Sequence, residues 1–379
     1  MDGAFGASGT LDVDVAVVGG GIAGVSAAGE LARRPGLRVA LLEQEGQLGY
    51  HASGRSAAAF LESYGSPEIR ALTQASRATL DAAGLLHPRP LLWLAPAGQA
   101  GELAALVEAE PTLRIVSDDE VRARCPVIRP GWAELSAIEE GAQDLDVAGL
   151  LEHYRRLAVT GGVTVHTGVS LLDGSRENDR WVLRTNRGLV RARVVVNAAG
   201  AWADDVARRC GQRALGLVPY RRTIAVVSAP AADRSWPLVA DIADQFYFRP
   251  EGDGLLISPA DETPSDPVDA RPQTEDVALA LERVNAATTL NLRHVRTTWA
   301  GLRTFAPDRN PVVGFSDPGF CWLAGHGGYG MQTAPAMAAL AAAVALDEPL
   351  PPSLPASILA ALAPNRFPVP ADQGNLPAR

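Results

Sequence analysis

Residues 19–24 of the 379-residue chain, Gly19-Gly20-Gly21-Ile22-Ala23-Gly24, have the spacing G-x-G-x-x-G, and Glu43 follows 19 residues later. That combination suits a pyrophosphate. Gly19 makes a tight turn, Gly21 lets the backbone approach the phosphates, and Gly24 lets a helix pack closely on a strand. Ile22 and Ala23 begin that helix, whose N-terminal amides and positive dipole end face the anion. Glu43 is placed to accept from a ribose hydroxyl pair, and its charge would repel a 2′-phosphate, which disfavours NADP. Residues 13–18 and 38–42 read as strands flanking a helix that runs to residue 33, so the motif sits in a βαβ unit. The fingerprint implies a dinucleotide without saying which one.

Composition narrows the chemistry. The chain contains no lysine, so all 34 basic residues are arginine. Schiff-base and pyridoxal-phosphate mechanisms, which need a lysine amine, are excluded. Cys125, Cys210 and Cys321 are too few and scattered for a disulfide framework or a zinc site. The six histidines are dispersed, and no metal is expected. A net charge of −9 argues against nucleic acid or an anionic membrane as partner. No apolar run is long enough to span a bilayer, and no signal-peptide pattern is present, so the expectation is a cytoplasmic protein.

The elements that must position these residues follow from period and punctuation. After Glu43 and Gln44, a loop rich in small and polar residues runs to Tyr64. Ser66 and Pro67 then start a helix as N-cap and first residue. Residues 91–94 read as a strand, 98–108 as a helix, and 117–124 as a helix with Glu120 completing a capping box. Asp146 caps a helix to residue 159. Strands follow at 163–166, 169–172, 181–184, 189–191 and 194–197, the last entering a second glycine-marked crossover, Ala199-Gly200-Ala201-Trp202. Residues 217–227, 238–242, 246–249 and 255–258 read as antiparallel strands, and 274–287 as a helix. Strands are expected at 296–302, 311–314 and 321–323. A glycine loop, Gly325 to Gly330, then opens an Ala-rich helix over 331–346.

That last glycine loop sets a second helix N-terminus near the C-terminal end. Such an end can stabilise negative charge on a reduced flavin ring, which favours FAD over NAD. The chain resembles the D-amino-acid oxidase superfamily of flavoproteins, and within it most closely the bacterial FAD-dependent D-arginine dehydrogenases. The resemblance rests on residues 49–58 (Gly-Tyr-His-Ala-Ser-Gly-Arg-Ser-Ala-Ala), 64–67, 196–202, 219–222, 246–247, 298–303 (Thr-Trp-Ala-Gly-Leu-Arg) and 327–333, in the family's order. It implies α/β plus antiparallel β: a Rossmann-like FAD-binding domain (12–87, 145–213, 296–365) interleaved with a substrate domain on a mixed or antiparallel sheet (88–144, 214–295). Residues 1–11 and 366–379 are expected as tails.

The resemblance assigns FAD contacts to Gly19, Gly21, Ile22, Ala23, Gly24, Glu43, Gln44, His51, Ala52, Ser53, Gly54, Arg55, Ser56, Ala57, Val169, Ala199, Gly200, Trp202, Gly327, Tyr329, Gly330, Met331 and Gln332. His51 stands in a loop that some relatives, of the dimethylglycine dehydrogenase type, use for a covalent flavin link; a non-covalent contact is expected here. Arg222 and Arg303 are implied as the clamp on a substrate carboxylate, a role suited to a planar guanidinium. Tyr64 and Tyr247 would add hydroxyl donors, and a carbonyl near Gly328 would receive the amine.

Leu91 replaces a glutamate that pairs with guanidinium in the D-arginine enzymes, and Ala59, followed by Phe60 and Leu61, replaces a histidine. A buried guanidinium left unpaired against leucine costs on the order of several kcal/mol. The implied reaction is therefore oxidative deamination of an apolar or neutral D-amino acid. Hydride leaves Cα for flavin N5, and the imino acid hydrolyses to a 2-oxo acid and ammonia. Electrons would pass to a quinone or to oxygen; related oxidases use a lysine near the flavin, which leans this chain toward a dehydrogenase. Three alternatives stay open: oxidation of N-methyl or cyclic secondary amino acids, a 2-hydroxy-acid dehydrogenase with His326 as base, and a non-catalytic flavin-binding subunit.

Overall fold

A computed structural model describes residues 9–368. Most of the two expected tails lies outside the described residues. Thr10 and Leu11, expected in the first tail, belong to the strand Thr10–Asp12, which pairs in parallel with Gly188–Ala192.

The strand Val15–Val18 pairs in parallel with Val39–Leu42 on one side and Val194–Asn197 on the other. Thr164–His166 and Phe320–Ala324 extend this parallel sheet, and Val312–Asp317 closes one edge antiparallel. Side-chain alternation explains the layering. Val15 and Val17 pack against the helices Ile22–Leu31, Val147–Thr160 and Ala334–Ala345. Ala16 and Val18 face Trp181, Leu183 and Val190 of a four-stranded sheet, Thr10–Asp12, Gly188–Ala192, Arg180–Thr185 and Leu171–Glu177 in spatial order. Because both faces are covered, Val15–Val18, Val39–Leu42 and Phe320–Ala324 are uninterrupted apolar runs.

The second unit is a nine-stranded mixed sheet. Val218–Ser228 carries Val295–Phe305 along its length and also pairs with Gly254–Ser258, all antiparallel. Tyr247–Glu251 and Leu238–Asp241 follow, then Leu91–Ala95 in parallel register with Leu238–Asp241. Val295–Phe305, expected with the nucleotide half, therefore belongs to this sheet through its ladder to Val218–Ser228.

Three local expectations shift. The last helix starts at Ala334 rather than 331, because Pro335 has no amide to donate and fits only the first turn. Ser117 caps Asp118–Arg124, but Glu120 does not reach back to it; its carboxylate pairs with Arg114 and Arg124, which outcompete one exposed amide. Strands at Leu135–Glu139 and Gln143–Leu145 were not legible as such. Among the described residues, no helix is long and apolar enough to cross a membrane.

Candidate active site

A single cleft of about 320 Å³ runs from the glycine turn to the large sheet. At its first end the turn after Val15–Val18 requires glycine at two of the motif's three positions. Gly19 has φ +109°, and a methyl there would collide with the Ala198 carbonyl; a methyl on Gly24 would collide with the carbonyl of Gly19. The helix Ile22–Leu31 has no side-chain cap of its own. Ser53, from the loop after the second strand, accepts from the Ile22 amide at 2.8 Å and so brings that loop onto the helix N-terminus. Glu43 accepts from the Gly20 amide at 2.5 Å and the Glu45 amide at 2.7 Å. Burial pushes its carboxyl up from the usual range, against those two donors. It braces the turn while still lining the cleft. A narrow glycine turn, bare helix amides and a lining carboxylate fit the diphosphate and ribose of a flavin dinucleotide.

Gln44, Ala52, Ser56, Ala57, Val169, Ala199, Gly200 and Trp202 line the cleft, and so do Gly327, Gly330 and Met331. The crossover at Ala199 is held by Asn197, whose amide nitrogen donates to the Ala203 carbonyl at 2.8 Å. His51 also lines the cleft; its Nε2 lies 2.9 Å from Glu45 Oε1, and its ring is 4.5 Å from that of Trp202.

The other end is built by strand register. On Val218–Ser228, Arg222 lies opposite Gly301, and Tyr220 opposite Arg303. Alternation puts Arg222 and Arg303 on one face, diagonally adjacent, with the side-chain-free Gly301 between strands. Arg303 Nη2 donates to the Tyr64 hydroxyl at 3.2 Å. Burial alone would weaken its charge, but Tyr64 and Asp244 beside it raise its pKa, so it stays a cation. Gly328 lies against that guanidinium, where any side chain would strike it. Tyr247 lines the same end together with Ala59, Leu61, Trp93, Leu238, Ala240 and Asp244.

Several expected residues stand elsewhere. Leu91 is fully buried and does not line the cleft; Trp93, on the same face of that strand, does. Tyr329 packs beneath Tyr64 and Phe305 rather than lining the cleft. Gly24 and Gly54 serve backbone packing: a methyl on Gly54 would meet the Gly49 carbonyl at 2.6 Å. Arg55 lines the cleft, yet its guanidinium is held by the Ala270 and Ala300 carbonyls, each at 2.9 Å, and by Asp269. Gln332 uses its amide on the Leu61 backbone and Thr73, which shapes the loop before Tyr64.

Other residues carried no sequence signal. Asp244, in a turn at φ +55°, lies 3.5 Å from Arg222 Nη2 and 3.4 Å from the Tyr64 hydroxyl. Buried Glu139 accepts from the Ser63 hydroxyl and, at 2.9 Å, from the Glu62 amide, fixing the turn that presents Tyr64.

The family model described as FAD dependent oxidoreductase matches residues 14–344. A glycine oxidase of Pseudomonas aeruginosa is 29% identical over 354 residues, covering 86% of this chain and 93% of its own. The solved L-proline dehydrogenase from P. horikoshii shares the fold with a TM-score of 0.83 at 20% identity, covering 94% of this chain and 98% of its own. A glycine oxidase from Geobacillus kaustophilus does so with a TM-score of 0.79 at 24% identity, covering 89% and 96%. These matches do not single out the D-arginine dehydrogenases, so the narrower resemblance does not stand. They do extend across both sheets, and the chain belongs to the FAD dependent oxidoreductase (DAO) family, with FAD as the dinucleotide served by its glycine turn.

Proposed function

We propose that the protein oxidises an amino acid whose nitrogen is a secondary amine, cyclic or N-alkyl, at the Cα–N bond. One observation carries this reading: two guanidiniums, Arg222 and Arg303, converge at the end of the cleft whose remaining walls are largely apolar. The similarity to glycine oxidase and the fold shared with an L-proline dehydrogenase support it.

Arg222 and Arg303 bind the carboxylate, and the Tyr64 and Tyr247 hydroxyls steady it. Leu61, Trp93, Leu238 and Ala240 receive the ring or alkyl group and exclude water from the reacting carbon. The Gly328 carbonyl accepts from the amine and holds it so that its lone pair can assist loss of the Cα hydrogen. FAD supplies the two-electron acceptor for the hydride. The substrate loses a hydride from Cα and a proton from nitrogen, and the imine is released or hydrolysed to a 2-oxo acid and an amine. Quinone or oxygen takes the electrons onward. In this reading the FAD is held non-covalently, and the Nε2 of His51 stays on Glu45.

A second reading, oxidation of apolar D-amino acids such as D-Leu, D-Met or D-Phe, is favoured by the same walls, which match an open aliphatic or aromatic side chain as well. Anaerobic bleaching of the bound flavin separates the two. L- and D-proline, pipecolate and sarcosine should bleach it faster than D-Leu or D-Phe; the reverse order overturns the first reading. D-Arg ahead of all of them would overturn both.

A further inference from the structure

Glu262 stands at the rim of the arginine pair and is not used by the reaction just described. Its Oε1 lies 3.4 Å from Arg222 Nη2, 3.4 Å from Arg303 Nη1 and 2.8 Å from Arg309 Nη2, and its Oε2 lies 2.9 Å from that last nitrogen. Charge-assisted N–H···O contacts ordinarily run about 2.7–2.9 Å. Glu262 is therefore seated on Arg309 and only loosely engaged by the clamp. Arg309 is itself fixed, its guanidinium 3.9 Å from the centre of the Phe305 ring.

The backbone around Glu262 is fastened on both sides. The Asp261 carbonyl accepts from Arg222 Nε at 2.9 Å, its carboxylate accepts from the Thr223 amide, and Thr263–Pro264 pairs with Tyr220 and Arg221. The carboxylate is thus a permanent part of the clamp's field. Asp244 adds a second carboxylate, 3.5 Å from Arg222. Arg222, Arg303 and Arg309 thus share the carboxylates of Glu262 and Asp244.

We propose that Glu262, seated on Arg309, is a specificity-determining residue that restricts the clamp to monocarboxylic amino acids and rejects those with a second carboxylate. The inference rests on Arg222 and Arg303 being the carboxylate clamp. A second carboxylate on a short side chain cannot leave this region, which otherwise offers it apolar walls and Asp244. Glu262 acts from beside the clamp, through its 3.4 Å approaches to Arg222 and Arg303, as a like charge that disfavours a second carboxylate there.

The test measures dissociation constants of acetate and glutarate for the FAD-loaded protein by calorimetry, so it does not depend on turnover. In E262Q, the ratio of glutarate to acetate dissociation constants should fall about tenfold. In R309Q, which removes the cation on the far side of Glu262, that ratio should rise. An unchanged or increased ratio in E262Q, including parallel weakening of both ligands, overturns the proposal. R303M should abolish binding of both; if the wild type binds neither, or R303M binds both as the wild type does, the clamp reading itself falls. Flavin bleaching by amino acids judges the proposed function separately.

Discussion

At the scale of single residues, Arg303 concentrates the argument, since it joins Tyr64, Glu262 and Gly328 at one end of the cleft. R303M removes one arm of a partly buried ionic clamp and should lower kcat/KM about a hundredfold or more, with FAD retained. Steady-state kinetics beside the flavin absorbance of the purified variant check this, and unchanged kinetics would sink the assignment. Two buried groups make opposite pH predictions. Burial lowers the pKa of His326 to about 4 from the usual 6.5. Between those values the unfolded chain binds the extra proton, so stability is full above pH 6.5 and is lost as pH falls toward 4. H326N should flatten this acid limb of unfolding temperature against pH. Glu139 is raised by burial above 4.5, so the folded state holds its proton longer. Stability contributed by that proton is lost as pH rises through the raised value, and E139Q, which keeps an acceptor for Ser63, should lose less.

At the scale of elements, the turn from Leu61 to Tyr64 is pinned by Gln332 at its start and by Glu139 at Glu62 and Ser63. Tyr64 is therefore presented by a rigid segment, which suits a hydroxyl that must meet Arg303 in one place. The loop before the Ala334–Ala345 helix has the same quality. Gly327 lies on the Phe305 ring and Gly328 on the Arg303 guanidinium, so neither position tolerates a side chain without displacement. G328A should shift Arg303, raise KM about tenfold and leave FAD content unchanged; KM together with flavin content is the measurement. G24A should act at the opposite end of the cleft. Its methyl meets rigid backbone, so loss of bound FAD is expected, read from absorbance after gel filtration.

At the scale of the whole molecule, the cleft proposed for FAD is lined by segments near residues 20, 50, 200 and 330, so FAD bound there would tie distant parts of the chain together. Removing it should lower the unfolding temperature, and adding it back should restore stability in proportion to the logarithm of free FAD. Equal unfolding temperatures with and without FAD would contradict this assembly. The nucleotide half was largely legible in sequence because its determinants are local: a glycine turn, a helix opened by it and apolar runs of strand length within some thirty residues. The catalytic end was legible only by resemblance. Arg222 and Arg303 are far apart in the chain and meet because Tyr220 falls opposite Arg303 in an antiparallel ladder. Register of that kind depends on two whole strands at once.

By itself, then, the sequence determined the dinucleotide turn, the absence of any lysine chemistry, and the strand–helix–strand order around that turn. Those properties depend on residue type and short spacing. Only the tertiary structure decided that Trp93 rather than Leu91 faces the cleft, that Arg55 and Gln332 brace loops, and that Asp244 and Glu262 stand beside the clamp. Each of those outcomes is a contact between distant segments, set by which part of a strand the cleft reaches and which partner a side chain meets after folding.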